Sequence, residues 1–433
     1  MKPRTGPFGF ILSFGVVSML MDVVYQAALS VQGPLLASLG ASAALVGLVS
    51  GLGEATSLAG RLVSGPAADR TGRYWVFAIA GYAITGLAVP AMGFAGSVVA
   101  VSALIIVERF GKSLRTPSRD AMISHASAKV GRGKGFAIHE LMDQIGAFAG
   151  PLVVAAILQA THNSFGSALG VMIVPGVAAI LVLLVLRRRV PDPSAYEEGE
   201  AEGEAAAGAN AEGVAPRQGD AAANAEAVAP SQGVAGANAE ARALAAAPGK
   251  QPRAKLPARF WAYTSFCGLV LAGVGTFGVM SFHMVDAGLM DAAFVPVLYA
   301  IAQAVDAVFA LITGSLYDKY GVKVLFVLPV VSALVPLFAF ASSVPLVAVG
   351  VALWGMSLGV QESTMRAAVA DMVPGGKRAT SYGMFSVATG IGTFVGATVI
   401  GVLYPLGQAA IAVYAIALQV AAFILLARLV RRA

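Results

Sequence analysis

Glu108, Lys112, Arg115 and Arg119 stand at i, i+4, i+7 and i+11, which is one stripe on a helix. Arg109 and Asp120 flank the stripe, and the surrounding sequence is apolar. A charge at the centre of a membrane-spanning helix costs about 2.5–3.5 kcal/mol on insertion scales, so such a stripe must face protein or water, not lipid. Bases in that place suit an anionic or zwitterionic solute. They suit equally a structural salt-bridge network with Glu54, Glu140 or Asp143. Both readings stand for the upper residues Glu108, Arg109, Lys112 and Arg115.

Other ionisable residues fall inside apolar runs. Asp22 lies mid-run with Tyr25 and Gln26 about one turn on. A lone carboxylate there is the kind of group a carrier protonates, because burial disfavours the charged form. The alternative is an ion pair with one of the bases in 108–119. Glu54 and Arg61 share a second run, and Asp306 sits in a later one. His139 and Asp143 are one turn apart, which suggests a hydrogen-bonded pair or a proton relay. Two residues are too few for a metal site, and no metal is expected. Asp22, Glu54, His139 and Asp143 are therefore the proton-coupling candidates. Tyr25, Gln26, Glu108, Arg109, Lys112, Arg115, Glu362 and Arg366 are candidates for the wall of a solute cavity. Glu362 and Arg366 share a helix face at i, i+4.

The elements that position these groups are membrane helices. The chain has 433 residues, 58% hydrophobic and 12% charged, with a mean hydropathy of +0.78. Soluble proteins average about 25% charged residues. A spanning helix needs roughly 20 mostly apolar residues. Twelve such runs are predicted, at 8–37, 42–66, 74–95, 97–124, 132–160, 165–187, 259–285, 292–316, 322–341, 345–372, 378–404 and 408–428. The first has basic Lys2 and Arg4 before it and is too long for a cleaved signal segment. Cys267, the one cysteine, allows no internal disulfide.

Well inside the predicted helices the bases are Arg61, Arg109, Lys112, Arg115, Arg119 and Arg366. All other Lys and Arg fall in the termini, in the loops and adjoining helix ends of one side, or in a central linker. By the positive-inside rule, both termini and the linker are cytoplasmic, in the inner membrane of a bacterial-type cell. This distribution, and not nucleic-acid binding, accounts for the net charge of +6. The linker, 191–257, is rich in Ala, Gly, Glu, Asn and Pro. It contains a tandem repeat with Asn210, Asn224 and Asn238 in register. It has too little apolar surface to offset ordering entropy and is expected to be disordered. The domains expected are a six-helix bundle over 1–190, this linker, and a second six-helix bundle over 258–433.

A charged motif occurs once in each half, GPAADRTGR at 65–73 and GSLYDKYGVK at 314–323. IGAFAGP at 145–151 has a weaker counterpart in IGTFVGA at 391–397. The paired motif resembles the signature of the major facilitator superfamily. ERFGKSLRTPSRDAMIS at 108–124 and GFAIHELMD at 135–143 resemble a bacterial permease subgroup of mostly unassigned substrate. The resemblance implies an all-α membrane protein with twelve helices in two pseudo-symmetric bundles. It further implies a central cavity lined mainly by helices 1, 4, 7 and 10, and rocking alternating access. It implies too that Gly65, Asp69, Arg70, Gly72 and Arg73, with Gly314, Asp318, Lys319, Gly321 and Lys323, form a cytoplasmic latch. Physically, Gly65 and Gly314 would let helix ends approach, and Asp69 and Asp318 would suit a neighbouring helix N-terminus. Arg119, Asp120 and Asp371 complete the latch candidates, with Asp120 and Asp371 as acidic partners. The counterpart of Arg115 in the second half is Glu362, which suggests an ion pair between halves.

Gly146-x-x-x-Gly150-Pro151 resembles part of an antiporter signature, and serves equally as a helix-packing face. No phosphate-binding loop, zinc-ligand cluster or nucleophile elbow is found. The chain is expected not to be an enzyme, to need no cofactor, and to act as a monomer on a small molecule and protons within a lipid bilayer. The function expected is proton-coupled export by antiport. The alternatives are uptake by symport, and a sensor or scaffold on a transporter fold.

Overall fold

The bilayer core offers no partners to backbone N–H and C=O groups, so these runs must satisfy themselves as helices. The computed structural model describes residues 4–127, 130–196, 256–373 and 378–431, and among them there is no strand. The first half holds α1 (Pro7–Ser38), α2 (Ala43–Thr71), α3 (Tyr74–Phe94), α4 (Val98–Ser127) and α5 (Arg132–Ala160). Its last span, α6, is Phe165–Gly170 continued after a short break by Ile173–Arg189. The second half opens with α7, Ala258–Val274, broken at Gly275 and resumed as Phe277–Asp286. Then come α8 (Val295–Tyr320), a 3₁₀ segment Gly321–Phe326, and α9 (Val327–Ala339). The tenth span, α10, is Val344–Val360, a π-helical segment Gln361–Met365, and Arg366–Met372. α11 (Arg378–Leu403) and α12 (Gln408–Arg431) complete the bundle.

Among the described residues, ten stretches are long and apolar enough to cross a membrane. One of them, Val295–Ala339, contains both α8 and α9. α4 is not among the ten, because six charged residues lie between 108 and 120. That helix is instead surrounded by α1, α2, α3 and α5. Gly81 on α3 and Gly111 on α4 face each other, and a Cβ on Gly111 would approach the Gly81 carbonyl to 2.9 Å. Small residues at this crossing let α3 press on α4 where its bases lie.

The internal repeat is visible in the packing. Gly146 and Gly150 of α5 lie on the main chain of Met19 and Val23 of α1. Gly392 and Gly396 of α11 lie in the same way on Gly268 and Ala272 of α7. The halves meet through α2 with α11 and through α5 with α8, which are equivalent pairs under the repeat. Helix packing thus accounts for the Gly146–Pro151 motif.

Two expectations are corrected. The second run does not end at 66, before most of the motif: α2 continues to Thr71, and Gly72 closes it with φ 63°. Likewise α8 runs to Tyr320, and Gly321 follows with φ 59°. Ala67 and Ala68 favour the helix, and each motif's second glycine supplies the left-handed residue that ends it. Within the span expected as linker, residues 191–196 are described. Tyr196 is buried, its hydroxyl donates to the Thr5 carbonyl at 2.7 Å, and its ring lies 5.7 Å from that of Phe10. The rest of the linker, 197–255, lies outside the described residues, and so does the repeat.

Candidate functional site

Arg109 leaves α4 toward α2 and is almost fully buried. Its Nη1 lies 3.1 Å from Glu54 Oε1, and its Nε lies 3.5 Å from Glu108 Oε2. Nη1 also donates to the Tyr25 hydroxyl of α1. Gly53 makes the room, since a Cβ there would come within 3.0 Å of Arg109 Cγ. Arg109 is therefore saturated with partners and ties α1, α2 and α4 together.

Arg115, about two turns on, is not saturated. It is 3% exposed, its Nη2 is 3.9 Å from Asp22 Oδ1, and its Nε and Nη1 have no hydrogen-bond partner among the described residues. Its guanidinium lies over the rings of Tyr82, at 4.9 Å, and Tyr25, at 5.9 Å. Lys112 Nζ sits 3.8 Å from the centre of the Tyr25 ring and makes no ion pair among the described residues. Three cations thus surround one tyrosine, each within cation–π range. The proposed pairing of Arg115 with Glu362 is not formed: Arg115 turns to Asp22 in its own half. Glu362 is exposed on the π-helical segment.

At the next level down, Arg119 joins Asp120 at 2.8 Å and Asp143 of α5 at 3.2 Å. His139 Nδ1 is 3.7 Å from Asp143 Oδ2, too long for a hydrogen bond. Its Nε2 instead bonds Ser18 Oγ at 2.8 Å, and Ser18 is 3.2 Å from the Tyr82 hydroxyl. The result is two adjoining clusters, one joining α4 to α5 and the other joining α5 to α1 and α3. Ligand atoms of His139, Glu140 and Asp143 come within 4.8 Å of one another. A cation, Arg119, already occupies Asp143, so a metal would have to displace it. Ser18 and Tyr82 escaped the sequence reading because neither is charged. A hydroxyl-bearing residue at mid-depth on each of two helices was the available signal.

Gln26 faces the other way. Its Oε1 accepts the Tyr299 hydroxyl of α8 at 2.7 Å, a bond between the halves. Tyr299 belongs to an aromatic wall with Phe277 at 4.6 Å and Trp354 at 6.1 Å between ring centres. A separate cavity between α1, α3 and α4, lined by Tyr25, Gln32, Ile105, Glu108 and Arg109, has a volume of about 10 Å³. It is water-sized and cannot hold an organic solute.

Asp306 of α8 is 3% exposed, and its Oδ1 has no partner. The charges of Glu362 on α10 and Glu140 on α5 reach it. Asp306→Leu removes a buried carboxyl with an unpartnered oxygen and should raise stability by about 1 kcal/mol in a detergent melt. A fall of that size would show that the carboxylate is paired.

The residues of the paired motif lie at the bundle end that carries both termini. Asp69 accepts the hydroxyl of Tyr74, the first residue of α3, at 3.0 Å. Arg70, Arg73, Asp318, Lys319 and Lys323 are exposed. Asp120 pairs with Arg119, not with these bases. A Cβ on Gly314 would meet only Ser363, at 3.8 Å, so no close approach demands glycine there. For Gly65, burial in α2 is what the structure gives. Arg366 and Asp371 lie in α10, but their side chains fall outside the described set.

The sequence profile of the Major Facilitator Superfamily matches residues 10–305 and 285–433. The chain belongs to the major facilitator superfamily and is a multi-pass membrane protein with a transporter fold. The uncharacterized protein Rv2265 of Mycobacterium tuberculosis (strain ATCC 25618 / H37Rv) is 44% identical over 425 residues, which are 98% of this chain and 94% of that one. Among solved structures, a mutant of the nucleoside transporter NupG gives a TM-score of 0.69 at 16% identity, covering 96% of this chain and 99% of that one. A bacterial homolog of the human lysosomal transporter Spinster, in an inward-facing and occupied conformation, gives 0.63 at 15% identity, with 97% and 94% covered. At these identities the two structures establish likeness of fold alone.

Proposed function

We propose that this protein is a proton-coupled secondary transporter of a bacterial inner membrane, with both termini in the cytoplasm. It moves a small organic solute between its two halves by alternating access. The observation that carries the reading is Asp22: a carboxylate at mid-length of α1, 3.9 Å from a buried guanidinium with open donors. Adding a proton there changes how α1 is tied to α4, which is the kind of bistable contact that coupling needs. Glu54 is committed to Arg109 and serves structure. His139 and Asp143 hold α5 to α1 and α4, and they lie next to the coupling group. The exposed charges of the paired motif form the cytoplasmic latch. Lys and Arg cluster at the end with the termini, which supports this orientation.

The direction of transport is left to the experiment, since Gly146 and Gly150 of the antiporter-like motif also seat α5 on α1. The experiment is a solute screen in proteoliposomes under an imposed pH gradient. Gradient-driven flux is expected in the wild type, with a loss of at least about tenfold in Asp22→Asn, equivalent to about 1.4 kcal/mol of lost coupling. Undiminished gradient-driven flux in Asp22→Asn would overturn the assignment.

A further inference from the structure

We propose that Asp22 holds, within the protein, the place of an anionic cargo: the solute is a small organic anion that binds Arg115 and Lys112 over the Tyr25 ring when Asp22 is protonated, and it therefore travels with a proton. This rests on the proton-coupled reading and adds the charge of the cargo and the sign of its coupling.

The two bases are an incomplete anion site. A guanidinium carries five N–H donors in a fork that fits carboxylate or phosphonate oxygens. In Arg115 two of its three nitrogens are buried without a partner, and Asp22 stands off at 3.9 Å, beyond hydrogen-bond range. An orphaned buried donor is costly, and a ligand oxygen would remove that cost. Lys112, over the Tyr25 ring, adds a second cation on the same face. Arg109 makes the contrast, since two carboxylates and a hydroxyl already saturate it. The Gln26–Tyr299 bond joins this helix to the wall of Phe277, Tyr299 and Trp354. The charged part of α1 and α4 and the aromatic wall are thus joined through one bond, and the pair suits an anion with an apolar body.

The sign of coupling follows from what faces Asp22. From α4 come Arg115, Lys112 and Arg119, and from α5 come Asp143 and Glu140 with His139 beside them. From α3, Tyr82 reaches α1 through Ser18. A proton on Asp22 cancels its hold on Arg115 and Lys112 and frees them for the cargo. Anion affinity rises as pH falls, and by reciprocity a bound anion raises proton affinity. Positive linkage loads both together, which is symport. A cationic cargo would compete with the proton for Asp22 and give antiport instead.

The test uses the full chain in detergent with a panel of benzoate, phenylphosphonate and 3-methyl-2-oxobutanoate against benzamide and benzylamine. Anions should raise the melting midpoint, and more so at pH 6 than at pH 8. Arg115→Gln should weaken anion binding by at least about 30-fold. Lys112→Met, which breaks no ion pair, is the second variant and should weaken it about tenfold. Asp22→Asn should bind anions equally at both pH values. Stabilisation by benzylamine or benzamide in place of the anions, or by none of the anions, overturns the proposal. So does anion binding that survives both base substitutions. Anion binding through Arg115 that ignores pH overturns the linkage. Gradient-driven flux of a neutral or cationic solute leaves the proton-coupled reading intact while sinking this one.

Discussion

Arg109→Leu should destabilise the protein by about 3–5 kcal/mol, the usual cost of removing one partner from a buried ion pair. Two carboxylates depend on this one guanidinium. Glu108 is nearly as buried as Arg109, and its Oε1 already lacks a partner. Without Arg109 its other oxygen is orphaned too, and Glu54 loses its counter-charge at 3.1 Å. Tyr25 also loses the donor to its hydroxyl. Reversible unfolding in mixed micelles measures the loss. Adding Glu54→Gln to Arg109→Leu should recover about 1–2 kcal/mol, because one stranded charge goes with it. A loss below about 1 kcal/mol for the single variant would mean that water reaches these carboxylates and that Arg109 is not structural.

The spans and the two-fold repeat were legible because both are written in long-range pattern. Long apolar runs and a second copy of the 65–73 motif survive any error of a few residues. The α4 stripe was legible too, since a helix period converts four positions into one face. Pairing within that face was not. Arg109 lies about 100° around the helix from Glu108, and only the position of α2 decides that it meets Glu54. Arg115 had two acids open to it, Glu362 by the repeat and Asp22 by depth, and the rotation of α1 chose Asp22. Uncharged Ser18 and Tyr82 carry no signal of depth cost, so their place between His139 and Arg115 emerged only with the packing. The motif at 65–73 misled for a local reason. Its proline and charges suggest a break, but a helix tolerates both until Gly72 ends it.

Gly33→Val should trap the transporter with its far end open. At the end of the bundle away from the termini the halves touch main chain to main chain. A Cβ on Gly33 of α1 would run into Ser281 Oγ, the Gly278 carbonyl and the Phe282 amide of α7. On α2, a Cβ at Gly51 would come within 2.9 Å of the Phe394 backbone of α11. These contacts join the two halves and belong to neither half's own core. Valine at 33 should therefore leave each half folded, and opposes only their closure. Over-packing costs about 1–3 kcal/mol per site, so the equilibrium constant for closure should fall by about 5- to 150-fold. The reporter is Val46→Cys, a fully buried position 3.7 Å from where a Gly278 Cβ would stand. Native Cys267 is buried and adds little background. Maleimide labelling at 46 should be at least about tenfold faster with Gly33→Val, with Gly33→Ala in between, while the melting midpoint of the free halves' cores stays near that of the parent. An unchanged labelling rate would mean that this end is a fixed joint and would count against the proposed alternating access.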